Sequence, residues 1–352
     1  MLAVWESLGN EEGFSMSMSE VPAPVALIQM MTGYWIAKSI YIAAELGIAD
    51  LLQDGPETSE ELAVACGAHG ASVYRLLRGL ASVGIFQEID GKRFTLTPTA
   101  ALLQSDVPGS MRALARMYGG EQYQAWGEAL HSVQSGQPAF NHVYGSTYFD
   151  YFAQNPEAAA IFDDAMTGWT TQVAHAAVAA YDFSSAKTVV DVGGGEGILL
   201  ATILRANPSS RGILFDLPHV ISRASGLLQR TDVGDRCETV AGDFFRSVPA
   251  GGDTYLLAQI LHDWDDERSR TILENCHRAM RPGGKVLILE LVIPPGNEPF
   301  FGKWLDLHML VMVTGRERTA VEYHELLASA GFQLTRVIAT ESGASIVEAT
   351  RK

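Results

Sequence analysis

The residues most able to do chemistry gather at a run of glycines. "DVGGGEG" sets Asp191, Gly193, Gly195 and Gly197 at every second position, directly behind an apolar stretch. The dinucleotide fingerprint G-x-G-x-x-G is not met, because from Gly193 the third glycine would fall on Ile198. A carboxylate at the head of such a loop opposes a pyrophosphate and suits a cation, such as an ammonium or a sulfonium. The glycines let backbone approach that ligand closely. Two more acids follow. "LFDLPHV" carries Asp216, able to accept both hydroxyls of a ribose, and "AGDFF" carries Asp243, able to accept an adenine amino proton, with Phe244 to cover the ring. Alone, each Asp reads as a solvated loop acid. Together, at three successive strand ends, they describe S-adenosylmethionine.

The elements that must position these residues follow from the rhythm of the chain. From Lys187 on, apolar stretches alternate with helical ones: "TVVDV", "GILFDLP", "CETVAGDFF", "DTYLLAQIL" and "KVLILELVIP" read as strands. Apolar strands without alternation, separated by helices, predict a parallel sheet covered on both faces. Two closing strands, near Phe332 to Ile338 and Ala344 to Glu348, bring it to seven. Ligands of such sheets sit at the carboxyl ends of the strands. In "HDWDDE", Asp265 reads as a helix N-cap, with Asp266 and Glu267 in the first turn, rather than as part of a metal cluster; no metal is expected.

The N-terminal part differs. Leu27 to Leu52 reads as one helix, apolar on more than one face, which suits burial against a partner subunit. Thr58 with Glu61 forms a capping box, and Gly67 ends that helix. Val73, Leu76, Leu77, Leu80 and Val83 form the stripe of a third, and Asp90-Gly91 turns a hairpin. Three helices and a hairpin make a winged-helix pattern, with Arg75 and Arg78 as cations on the last helix. A DNA-binding regulator is opposed by a net charge of −16, because phosphate binding needs clustered Lys and Arg; neither nucleic acid nor a membrane is expected as partner. The 352 residues suggest two domains. Cys66, Cys237 and Cys276 form no C-x-x-C or zinc pattern and read as buried free thiols, which fits a reducing cytoplasm.

The ordered set "DVGGGEG", "FDLPHV", "GDFF", "LHDWDDE", "RPGGKVLILE" and "GRERT" resembles the metal-independent small-molecule O-methyltransferases, the plant caffeic acid type and bacterial relatives in phenazine and polyketide tailoring. The resemblance spans nearly the whole chain. It implies a tail over 1–24, a winged-helix-like dimerisation domain over 25–105, a helical connector over 106–180 that contributes to an acceptor pocket, and a Rossmann-like methyltransferase domain over 181–352. It implies a homodimer acting on an aromatic or polyketide-like acceptor. S-adenosylmethionine would lie against Asp191, Gly193, Gly195, Asp216, Leu217, Asp243 and Phe244. Plant members carry a Lys four residues before the catalytic His, where this chain has Ala258, so that only backbone serves there.

The same resemblance makes His262 the general base, with Glu290 and Glu317 holding its ring. Acceptor contacts would come from Phe162, Met166 and Trp169, and from Trp304, His308, Met309 and Met312; for these seven, core packing is the competing reading. The chemistry agrees. A phenol has a pKa of ~10, so a base must take its proton, and an imidazole of unperturbed pKa ~6.5 is suited. In-line alignment of acceptor oxygen and methyl donor supplies ~7–11 kcal/mol. Other chemistry on the same fold (N- or C-methylation, hydroxylation, decarboxylation) is the alternative; an intact His262, Glu290 and Glu317 favour proton removal.

Overall fold

The computed structural model describes residues 21–228 and 231–352; most of the expected tail, 1–20, lies outside the described residues. The chain forms two compact units. One runs as far as Gly127 and also takes in Phe149–Gly168; the other comprises Glu128–Tyr148 and Trp169–Lys352. The stretch 106–180, expected as one connector, is divided between them.

In the first unit the long apolar run does not reach Leu52 as a single helix. Helix Ala23–Glu45 stops, Gly47 adopts φ +63°, and a short helix Ile48–Leu51 follows. A left-handed residue breaks the helical ladder, and glycine takes it without a Cβ clash. Helix Ser59–Cys66 opens on the reciprocal Thr58–Glu61 capping box and ends on Gly67. Helix Gly70–Ala81 buries Val73, Leu77 and Leu80. Strands Phe86–Ile89 and Arg93–Leu96 form the hairpin, and Glu57–Thr58 pairs with its second strand. Within this unit Leu27, Met30, Met31 and Trp35 of helix Ala23–Glu45 stay more than half exposed.

The second unit is built on seven strands: β1 Thr188–Val192, β2 Arg211–Asp216, β3 Cys237–Ala241, β4 Thr254–Ala258, β5 Lys285–Glu290, β6 Phe332–Ala339 and β7 Ser345–Arg351. Their order is β6-β7-β5-β4-β1-β2-β3. The first five strands pair in parallel, and β7 runs antiparallel between β5 and β6. Alternate side chains enter two cores. Val189, Leu214, Leu256 and Leu287 face one, with Leu199, Leu200 and Ile203 of helix Ile198–Ala206. Val190, Phe215, Leu257 and Ile288 face the other, with Ile272 and Cys276 of helix Asp266–Ala279 and Tyr323 of helix Ala320–Ser329. Burial on both faces is why the strands read as unbroken apolar runs.

Two local expectations are corrected. The fifth strand ends at Glu290; Leu291 interrupts it, and Val292–Ile293 pairs instead in parallel with Arg318–Thr319. Of the three cysteines, all free, only Cys276 is fully buried.

Candidate active site

The glycine loop closes the carboxyl end of β1. Gly193, Gly195 and Gly197 adopt φ +71°, +57° and +81°, values that L side chains rarely take. The Gly193 N–H donates to the Phe215 carbonyl at 2.8 Å, tying the loop to β2. A Cβ on Gly193 would lie 2.5 Å from Ile260 Cδ1, and one on Gly195 would meet nothing within 4 Å. The loop is thus closed on one side and open on the other.

Asp191 lies near the end of β1, as expected, and is covered by the loop. The residue is 1% exposed, neither carboxylate oxygen has a hydrogen-bond partner among the described residues, and a Cβ on Gly194 would sit 2.6 Å from its Oδ2. Burial, reinforced by the Asp216 charge, pushes Asp191 up to about 7. The loop folds back over the strand end and covers Asp191. Asp216 is better placed for contact. Its Oδ2 accepts from Gly195 N–H at 2.9 Å and its Oδ1 from Leu217 N–H at 2.6 Å, which orients both oxygens and leaves each a lone pair. Burial raises Asp216, and these two amides oppose the shift. Asp243 accepts from Phe245 N–H at 2.8 Å. The Phe244 ring lies edge-on to Phe245, 4.8 Å between centroids, and its Cε1 is 3.6 Å from the Gly193 Cβ position. Leu217 is exposed, and half-buried Ala258 ends β4. A buried carboxylate without a partner, a pre-oriented acceptor pair, an open glycine and an aromatic edge fit a cationic adenosyl ligand.

Beyond β4 the chain enters a single 3₁₀ turn, Leu261–Asp263, through Gln259 at φ +57°. The first N–H groups of any helical turn lack intrahelical partners. Here Ile260, Leu261 and His262 all donate theirs to Glu290 Oε1, at 3.1, 2.6 and 3.2 Å, and the Tyr323 hydroxyl donates to Oε2. The expectation for Glu290 is therefore corrected: it holds the backbone of the His262 loop and not the ring. The ring is held by Glu317, whose Oε1 lies 2.7 Å from Nδ1. Asp306 Oδ1 in turn accepts from Glu317 N–H at 3.0 Å.

The second acid at the ring is Asp263, 3.7 Å from Nε2. It stood in the quoted "HDWDDE" without being singled out; Tyr323 had no sequence signal at all. His262 is 7% exposed. Burial opposes its charge, but Glu317, Asp263 and Glu290 outweigh burial and push it up to about 10, not the ordinary value expected. Burial in turn raises Asp263 to about 6. His308 goes the other way, to about 4, through burial and the His262 charge; at neutral pH it is uncharged.

Helix Phe301–Met312 carries the remaining candidates of this unit. Trp304 is 68% exposed, His308 and Met309 are almost closed, and Met312, at 1%, is core packing. Trp169 packs against the core around Val173 and Ala177. Phe162 and Met166 belong to the first unit, where Phe162 stacks on Phe152 at 4.8 Å. Asp265 caps its helix, accepting from Arg268 N–H at 2.8 Å. Among the described residues no three His, Cys, Asp or Glu side chains are grouped to hold a metal ion, and no helix is long and apolar enough to cross a membrane.

The family model of the O-methyltransferase domain matches residues 126–333, and that of the O-methyltransferase dimerisation domain matches 28–106. A phenazine O-methyltransferase from Lysobacter antibioticus is 56% identical over 94% of this chain and 96% of its own length. The crystal structure of LaPhzM, also 56% identical, superposes with a TM-score of 0.91 over 94% of this chain and 100% of its own. An O-methyltransferase from neocarzinostatin biosynthesis, solved with S-adenosylmethionine and 2-hydroxy-5-methyl naphthoic acid, is 35% identical, with a TM-score of 0.79 over 90% of this chain and 96% of its own. The chain belongs to the O-methyltransferase family, and it is an S-adenosylmethionine-dependent O-methyltransferase.

Proposed function

We propose that the enzyme methylates a hydroxyl of an aromatic or polyketide-like small molecule, with a phenazine-type phenol as the first class to test, and that His262 is the general base. The observation that carries this reading is the 2.7 Å contact between His262 Nδ1 and Glu317 Oε1. A carboxylate at Nδ1 fixes the tautomer and leaves Nε2 to take the proton. Bound S-adenosylmethionine supplies the methyl group as an electrophile on a sulfonium. Asp216 and Leu217 would hold its ribose, Asp243 and Phe244 its adenine, and Gly193, Gly195 and Ala258 would offer backbone, while Asp191 supplies negative potential from below the loop.

The raised His262 value bears on the chemistry. A base of pKa ~6.5 facing a phenol of pKa ~10 works uphill by about 5 kcal/mol. Raised to about 10, His262 matches the phenol and the transfer becomes nearly level. The cost is that His262 must first lose its own proton, so turnover rises with pH above neutrality. Neutral His308, and Trp304 and Met309 on the same helix, are proposed to face the acceptor.

The exposed face of helix Ala23–Glu45 is proposed to bury against a second copy, with residues 25–105 as the dimerisation domain and 181–352 as the methyltransferase domain. Free thiols and an acidic surface suit a cytoplasmic enzyme that binds neither nucleic acid nor membrane. The test is transfer of labelled methyl from the cofactor to a panel of hydroxyphenazines, simple phenols and their amino analogues. Labelling of hydroxyl acceptors supports the reading; labelling of amines alone contradicts it.

A further inference from the structure

We infer that Arg318 is a positioning residue that keeps His262 in register with Glu317, an inference that rests on the reading of His262 as the base. Arg318 is 0% exposed. Its guanidinium donates to the carbonyls of Leu261 and Trp264, both at 3.0 Å, which bracket His262 and Asp263. It also donates to Asp266 Oδ1, at 3.0 Å from Nε and 2.8 Å from Nη2, and to Ser269 Oγ at 3.2 Å. Ser269 Oγ lies 3.2 and 3.3 Å from the same two carbonyls and shares its one proton between them. The catalytic turn is therefore gripped from both polarities: Glu290 collects its N–H groups and Arg318 fills its carbonyls.

The local architecture explains why residue 318 is in reach. Arg318 pairs with Val292 in the short parallel ladder, two residues beyond Glu290. The clamp on the N–H groups and the clamp on the carbonyls are thus set against each other by one strand pairing. Glu317, the residue just before this short strand, takes the imidazole ring, and Arg318 takes the backbone that carries it. The approach is close. A Cβ on Gly315 would lie 1.9 Å from the His262 carbonyl oxygen and 2.3 Å from Asp263 C, so only glycine lets this segment lie against the turn. The planar fork of arginine reaches two carbonyls, a carboxylate and a hydroxyl at once; lysine has a single nitrogen and cannot.

The test uses Arg318→Lys, which keeps the charge, and Asp266→Asn, which weakens the exposed acid that orients the guanidinium and leaves the turn itself unchanged. Folding is checked by thermal melts and cofactor affinity by calorimetry. His262 is followed by NMR titration, and turnover is measured with acceptors of graded pKa. The inference predicts folded variants that bind cofactor within threefold of the wild type. The His262 titration falls by one unit or more, and turnover falls about a hundredfold for weakly acidic phenols but much less for acidic ones. If Arg318→Lys is folded and its His262 titration is unmoved, the inference is overturned. If Arg318→Lys does not fold, Asp266→Asn decides by the same criteria, because Asp266 Oδ1 accepts two of the guanidinium's hydrogen bonds. A loss that is equal for every acceptor, or that tracks cofactor affinity, assigns Arg318 to stability alone and also overturns it. A His262→Ala enzyme that keeps its activity would remove the base reading separately, because the NMR titration tests the register without reference to turnover.

Discussion

Glu317→Gln isolates the charge that makes His262 basic. The substitution keeps the shape of the side chain and removes one negative charge 2.7 Å from Nδ1, in a site where both residues are buried. A charge-assisted hydrogen bond is worth ~1.5–3 kcal/mol, which is roughly 1–2 pKa units. His262 should therefore fall from about 10 by that amount, held partly up by Asp263 and Glu290. The assay is NMR titration of the His262 ring in the cofactor-free protein, paired with the pH profile of turnover. The alkaline rise in rate should move down by the same interval, and the plateau should drop because the base is weaker. Melting temperature is the wrong readout here, since Gln also removes the cost of burying the Glu317 charge. An unmoved His262 titration in Glu317→Gln would refute the reasoning, because Glu317 is the first of the three acids that outweigh burial.

The other expectations address the remaining parts. The charged form of His262 contributes stability that is full below its ordinary value near 6.5 and is lost as pH rises through about 10, so the denaturant midpoint of the wild type should fall over that window and His262→Ala should flatten the fall. Asp216→Ala should weaken cofactor binding about 10- to 100-fold, since a charged acceptor is worth ~1.5–3 kcal/mol and the Gly195 amide loses its anchor as well; calorimetry reads this. Glu290→Gln should cost about 2–3 kcal/mol in a denaturant melt, because an amide cannot accept from three N–H groups and a hydroxyl as a carboxylate does. Trp35→Asp should shift a dimer to monomer in sedimentation, and a wild type that is monomeric at micromolar concentration would contradict the proposed interface.

Much of the fold was legible because it rests on side-chain pattern. The parallel strands were visible as apolar runs, the Thr58–Glu61 box as a spacing, and Asp216 and Asp243 as acids closing strands. What stayed hidden depends on backbone or on distance along the chain. Glu290 was legible as a residue but not in its role, because its partners are main-chain N–H groups that carry no letter. That Asp191 lies covered is not legible in its motif, because nothing there tells that Gly194 folds over it. Gly315 and Tyr323 meet backbone or side chains about thirty to fifty residues earlier in the chain, contacts that no local spacing announces. The break at Gly47 was in plain view, but a single glycine in a helical pattern is ambiguous until its φ is known.

The central claim is that His262 takes the acceptor proton, and the most direct measurement is the turnover of wild type and His262→Ala, at saturating cofactor and fixed pH, against acceptors of graded pKa. The account predicts unchanged cofactor affinity and a loss of roughly 10²–10⁴ for weakly acidic phenols, shrinking toward none as the acceptor becomes ionised at the assay pH. Wild-type activity in His262→Ala, or one constant loss across all acceptors, would contradict it.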